Sequence, residues 1–156
     1  MGKKLYITEK PSVAASFAEV LGLKIGRQDR ARGFAESNDA IVTWCFGHLI
    51  TLALPDAYDP AYKAWRVESL PIIPNKYKYI VIDDDGVKKQ FETIKGLMNR
   101  GDVDLIYACT DSGREGEYIF RLVYEHTGCK KEAKRVWISS QTEEAIRDGI
   151  RNAKDI

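Results

Sequence analysis

Apolar positions follow two rhythms along this chain. Residues 5–8, Leu5-Tyr6-Ile7-Thr8, form an apolar run of strand length, and just beyond it Val13, Phe17, Val20 and Leu21 fall on one helical face with Ala14 and Ala18 beside them. Pro11 suits the first helical position, where its missing N–H is not needed, and Gly22 is a natural stop. Glu9 is therefore predicted at the carboxyl end of a strand, the edge where ligands collect in parallel α/β sheets. Residues 34–37 and 40–46 flank the turn pair Asn38-Asp39 and predict a β-hairpin. Arg27, Arg30 and Arg32, just before it, read as a solvated face. Between Leu54 and Lys76, four prolines with Tyr58, Tyr62 and Trp65 predict a long connection that its aromatics pack down.

From Tyr77 onward strands and helices alternate. Residues 79–82 read as a strand, and Val87, Phe91, Ile94, Leu97 and Met98 as a helix ending at Gly101. A strand at 105–109, a helix at 117–127 closed by Gly128, a strand at 135–138 and a helix at 142–153 follow. This order predicts an α/β fold with a mostly parallel central sheet of about four strands flanked by helices, and the β-hairpin as an insertion.

The length of 156 residues fits one domain. With 44% hydrophobic and 30% charged residues and no apolar run of membrane-spanning length, the chain is expected to be soluble and cytoplasmic, with no membrane contact. Met-Gly-Lys-Lys runs straight into the first strand and leaves no room for a signal peptide. Cys45, Cys109 and Cys129 lie far apart with no C-x-x-C, which argues against a zinc ribbon or a redox pair. Cys45 and Cys109 read as small buried side chains and Cys129 as a loop residue. A formal net charge of +1 means that any phosphate-facing surface must be a local patch.

The most informative segment is Asp111-Ser112-Gly113-Arg114-Glu115-Gly116-Glu117, which ends one strand and opens the next helix. Asp111 alone would serve as an ordinary helix cap. Together with Glu9, however, the segment resembles the two-part acidic signature of Toprim domains, a Rossmann-like fold. The flanking stretches Thr8-Glu9-Lys10-Pro11-Ser12, Thr43-Trp44-Cys45-Phe46-Gly47-His48-Leu49 and Val136-Trp137-Ile138-Ser139-Ser140-Gln141-Thr142 are similar to amino-terminal segments of type IA DNA topoisomerases of the topoisomerase III kind. Four motifs in this order span nearly the whole chain.

The resemblance implies that residues 1–156 form a single Toprim domain cut from a longer topoisomerase. Its site would break and rejoin single DNA strands through a 5′-phosphotyrosine, relaxing or decatenating DNA with Mg²⁺ and no nucleotide. The nucleophilic tyrosine would belong to another domain, so that this fragment alone is inactive and Tyr6, Tyr107, Tyr118 and Tyr124 serve packing. Implied partners are a single-stranded region of DNA and the remaining topoisomerase domains. In phosphoryl transfer, charge builds on the phosphate and the leaving oxygen needs a proton or positive charge. Carboxylates serve by holding Mg²⁺ or, crowded by like charges, by donating a proton. The resemblance gives Glu9 the acid-base role, with Asp111 as its metal-binding partner and Glu115 as a further ligand candidate. Lys10 would hold a backbone phosphate, and Arg114 would orient the acids or the DNA. His48 would lie near DNA or the acids.

Gly113 stands where the family signature often has a second aspartate, which removes one ligand and puts a second metal ion in question. Asp83-Asp84-Asp85-Gly86 has the wrong spacing for an EF-hand loop and reads as a solvated turn, while Ser140 with Glu143 fits a capping box. The competing readings are a Toprim primase or nuclease, a non-catalytic DNA-docking module, and a nucleotide-binding Rossmann-like domain. The absence of a G-x-G-x-x-G or Walker loop speaks against the last.

Overall fold

The computed structural model describes residues 2–156. Four parallel strands form its centre: β1 (Lys3–Thr8), β3 (Ala40–Trp44), β6 (Val103–Cys109) and β7 (Ala133–Arg135). Two short antiparallel strands extend the edges, β2 (Phe34–Glu36) beside β3 and β8 (Lys154–Asp155) beside β7, giving the order β2-β3-β1-β6-β7-β8. The hairpin around Asn38-Asp39 forms, and its second strand lies directly beside β1. The strand predicted at 79–82 appears as β5 (Tyr79–Val81) but leaves the central sheet, pairing antiparallel with β4 (Ile50–Leu52) as a separate two-stranded sheet. The strand predicted at 135–138 ends at Arg135, where β7 stops.

Strand periodicity explains the layers. Alternate residues of β1 point to opposite faces. Leu5 and Ile7 pack with α3 (Asp85–Met98) and α4 (Arg114–His126), through Phe91, Ile94, Ile119 and Phe120. Tyr6 faces the other way, with Val42, Trp44 and Tyr107, onto α1 (Pro11–Val20) and α5 (Glu143–Arg151). The rings of Tyr6 and Tyr107 stack across β1 and β6 with centroids 4.8 Å apart. Burial of each large aliphatic side chain contributes about 1.5–3 kcal/mol, so strand β1, buried on both faces from Leu5 to Thr8, anchors the sheet.

Several local expectations change. Arg27–Arg32 forms a helix, α2, with no buried residue, stopped at Gly33, which takes a left-handed φ of 87°. Asp84 caps α3, its carboxylate accepting from Val87 N, so the acidic run is a helix start and not only a solvated turn. Thr142, not Ser140, caps α5 by accepting from Ala145 N, while the Ser140 hydroxyl contacts that of Thr142. Cys129 follows α4 in a loop, yet it is buried in the core, as are Cys45 and Cys109. The connection at 54–78 holds three short 3₁₀ turns, Pro55–Ala57, Pro60–Ala64 and Val67–Ser69, and is not packed down as expected: Trp65 is 73% exposed. Among the described residues no helix is long and apolar enough to cross a membrane.

Candidate active site

The site begins where β1 stops. Thr8 is fully buried, and its hydroxyl donates to Thr43 O at 3.2 Å. Glu9 comes next, then Lys10, whose extended backbone precedes Pro11 at the first position of α1. Lys10 is exposed. The chain leaving β3 is tied to this strand end: Cys45 N donates to Thr8 O at 2.8 Å and Gly47 N to Glu9 O at 3.0 Å. Gly47 has a φ of 73°, a left-handed turn that suits glycine, and it delivers His48 to the same edge. His48 Nε2 lies 2.5 Å from Glu115 Oε1, and the imidazole meets the Tyr118 ring edge-on at 5.9 Å. Burial, with the Glu9 charge adding to it, pushes the Cys45 thiol up to about 12, so that thiol keeps its proton and is no nucleophile.

Strand β6 supplies the second half. Its register places Cys109 opposite Thr8, so the residues just past each strand end adjoin, and Glu9 Oε2 accepts from Asp111 N at 3.3 Å. The expected convergence of these two residues, 102 positions apart, is thus present in the fold. Asp111 does not cap α4. The N-cap is Gly113, which offers no side-chain bond, and Asp111 stays exposed with its backbone N–H on the Glu9 carboxylate. Gly113 has φ −81° and ψ 174°, and a Cβ there would meet nothing within 4 Å, so the position does not require glycine. Gly116 does: a Cβ would lie 2.1 Å from Asp111 O, because α4 sits directly on the Asp111 backbone.

Arg114 opens α4 and is exposed, with Glu115 beside it in the first turn. Glu117 is committed elsewhere, accepting from Arg121 Nε at 2.7 Å and from Arg135 Nη2 at 2.5 Å. Burial works to raise its pKa, but the hydrogen bonds and charges of Arg121 and Arg135 outweigh that and hold the carboxyl below its ordinary value. Glu115 is therefore the freer of the two acids, although His48 occupies one of its oxygens. A cavity of about 430 Å³ adjoins Asp111 and is walled by Val13, Ser112, Ile138, Ser139 and Gln141. Ser112 fixes one wall, its hydroxyl donating to Ile138 O at 3.0 Å and accepting from Ile138 N at 3.2 Å.

Among the described residues no three His, Cys, Asp or Glu side chains are gathered closely enough to hold a metal ion. Glu9 and Asp111, whose backbone N–H meets the Glu9 carboxylate, would suit Mg²⁺, which accepts one or two carboxylates and keeps its remaining waters. They do not fit a fully protein-caged ion. Arg135 was missed in the sequence, since a basic residue in Lys134-Arg135-Val136 reads as solvent-facing on its type alone. The sequence placed it as the first residue of the strand read at 135–138, whereas it is the last residue of β7.

Known proteins resemble this chain along nearly its whole length. The chain is 45% identical over 153 residues to a DNA topoisomerase 3 from Staphylococcus saprophyticus, covering 98% of this chain and 21% of that protein. It is 43% identical over 155 residues to a DNA topoisomerase 3 from Shouchella clausii, covering 99% and 20%. The chain thus spans about a fifth of the length of these curated relatives. Among solved structures, full-length topoisomerase I from Thermotoga maritima is similar with a TM-score of 0.59 and 25% identity, over 97% of this chain and 21% of that one. The family model described as Toprim domain matches residues 4–141, and with the acidic edge assembled as above, the chain belongs to the Toprim domain family.

Proposed function

We propose that residues 1–156 act as one Toprim unit, the acidic half-site of a cytoplasmic type IA DNA topoisomerase that breaks and rejoins single DNA strands. The observation that carries this reading is the meeting of Glu9 with Asp111 at the carboxyl edge of β1 and β6, in a chain similar to DNA topoisomerases over nearly its whole length. A tyrosine from another domain would attack the scissile phosphate, forming the 5′-phosphotyrosine bond as the bond to the 3′ oxygen breaks. Glu9 would deliver a proton to that leaving oxygen and take it back on rejoining. Glu9 and Asp111 would hold a hydrated Mg²⁺, which supplies positive charge against the phosphate, and Glu115, paired here with His48, is the further ligand candidate. Exposed Lys10 and Arg114 would engage phosphates of the single-stranded region, Lys10 as a point charge and Arg114 with its planar fork. His48 would restrain Glu115 and sit along the strand's path.

Plasmid relaxation tests this in two arms. Residues 1–156 alone, with Mg²⁺, are expected to leave a supercoiled plasmid unchanged, because the nucleophile is elsewhere. Grafted in place of the matching segment of the Staphylococcus saprophyticus relative, the chain is expected to restore relaxation, and Glu9→Ala in that chimaera to slow it by about two to four orders of magnitude. Robust relaxation by the isolated chain, or a near-normal rate for the Glu9→Ala chimaera, overturns the proposal.

A further inference from the structure

Arg135, the last residue of β7, is 5% exposed and is the one charged residue among the buried side chains of the described chain. Withdrawing a guanidinium from water is unfavourable unless its donors are met, and an apolar side chain of similar length would avoid that cost. The partners of this one are unusually local. Nη1 donates to Thr110 O at 3.0 Å and to Thr110 Oγ1 at 2.9 Å, with Ala108 O at 3.4 Å. Nη2 donates to Glu117 Oε2 at 2.5 Å, and the guanidinium lies 5.5 Å from the centre of the Phe120 ring. Nε has no partner. The Thr110 hydroxyl, while accepting from Arg135, donates to Gly116 O at 2.6 Å. One fork therefore grips both ends of the segment 110–117, at the residue before Asp111 and at the carboxylate two residues after Glu115.

We propose that Arg135 is a positioning residue of the acidic edge: from beneath the sheet's end it sets Asp111 and Glu115 relative to Glu9, acting through Thr110 and Glu117. The functional value of that placement rests on the reading above, in which these acids do the chemistry. The clamp itself is a property of the fold. Glu117 then serves as the anchor of the acidic motif and not as a ligand, which accounts for an acidic signature with one member turned inward. Because Nε is unpartnered, a lysine at this position would keep the charge and lose only the two-ended fork.

The test uses the 156-residue chain in the variants Arg135→Lys and the double Arg135→Met/Glu117→Gln, which removes both charges together so that no unpaired ion is left in the interior. Two readouts apply: amide hydrogen exchange along 110–117 compared with β3, and the broadening of Glu9 and Asp111 amide signals by Mn²⁺. In a double variant that still melts cooperatively, exchange at Asp111–Glu117 is expected to rise about tenfold with β3 unchanged. Mn²⁺ affinity is expected to fall about tenfold, with Arg135→Lys between the two proteins. An arginine that merely supports the fold would raise exchange everywhere and lower the melting temperature, with no local excess. Native exchange at 111–117 in a folded double variant overturns the proposal, and if that variant does not fold, Arg135→Lys decides by the same readouts. Should the native chain show no Mn²⁺ broadening, the metal reading fails by itself while the exchange comparison still judges Arg135.

Discussion

Residues 110–117 and residues 54–78 both run outside the central sheet's strands, the first polar and charged and the second rich in aromatic side chains, and they are held in opposite ways. In the first, short bonds to buried groups fix each turn: Thr110 to Gly116, Arg135 to Thr110 and Glu117, and the α4 backbone against Asp111. In the second, Leu54, Trp65, Val67, Leu70, Ile73 and Tyr77 are all more than half exposed. Its hydrogen bonds stay within the segment and its flanks, among them Lys78 N donating to Tyr58 Oη at 2.6 Å and Ala61 N to Asp59 Oδ1 at 2.8 Å. The difference teaches where precision in this molecule comes from. Aromatic content does not order a segment unless a core lies within reach, whereas one buried fork orders eight residues of polar chain.

The sharpest way to break that comparison is Gly116→Ala. Alanine favours a helix by about 1 kcal/mol over glycine, but the new methyl would sit 2.1 Å from Asp111 O, and a backbone atom cannot step aside as a side chain can. Steric strain wins, and a net loss of about 2–3 kcal/mol in urea unfolding is expected, as for overpacked interiors. A neutral result would mean that the close seating of α4 is not what holds Asp111.

Tyr58→Phe probes the other region. It deletes the acceptor for Lys78 N at an exposed position and is expected to cost about 1 kcal/mol or less, with faster amide exchange confined to 76–78. If the loss matched that of Gly116→Ala, the contrast between the two regions would be wrong.

The smallest expected change is Gly113→Asp. The backbone there is extended and the space open, so no strain opposes the substitution. Aspartate is also a better N-cap than glycine, by a few tenths of a kcal/mol, so a slightly higher melting temperature is expected. Calorimetric titration is expected to show tighter Mg²⁺ binding, since one more carboxylate joins Glu9 and Asp111. Tight native binding left unchanged by a well-folded variant would place residue 113 on the wrong side of the acids.

The sequence made the edge legible because strand runs, Pro11 and the acidic motif agree on where β1 and β6 end, and that alone brings Glu9 to Asp111. The helix α2 left no trace, since Arg27–Arg32 buries nothing and so has no apolar period to read. Tyr79–Val81 carried a strand pattern but no mark of its partner, Ile50–Leu52, which is too short to show one. Arg135 escaped for a different reason, and His48, expected near DNA or the acids, meets an acid although its partner Glu115 was not foreseen. A charged residue type signals solvent until the fold supplies a buried partner, and no spacing rule links residues 48 and 115.

The register between β1 and β6 has a consequence for how the chain acquires its site. The two halves of the acidic edge are separated by 102 positions, and the loop between them must close before either is of use. Closing so long a loop is entropically uphill and is repaid only when Leu5, Ile7 and Ile106 come together, which places the event late among those of folding. During synthesis, β1 and α1 leave the ribosome long before β6 exists and can bury their apolar faces only in part. The acidic edge is thus absent from every shorter nascent chain and arrives all at once, when the last parallel strands have been translated.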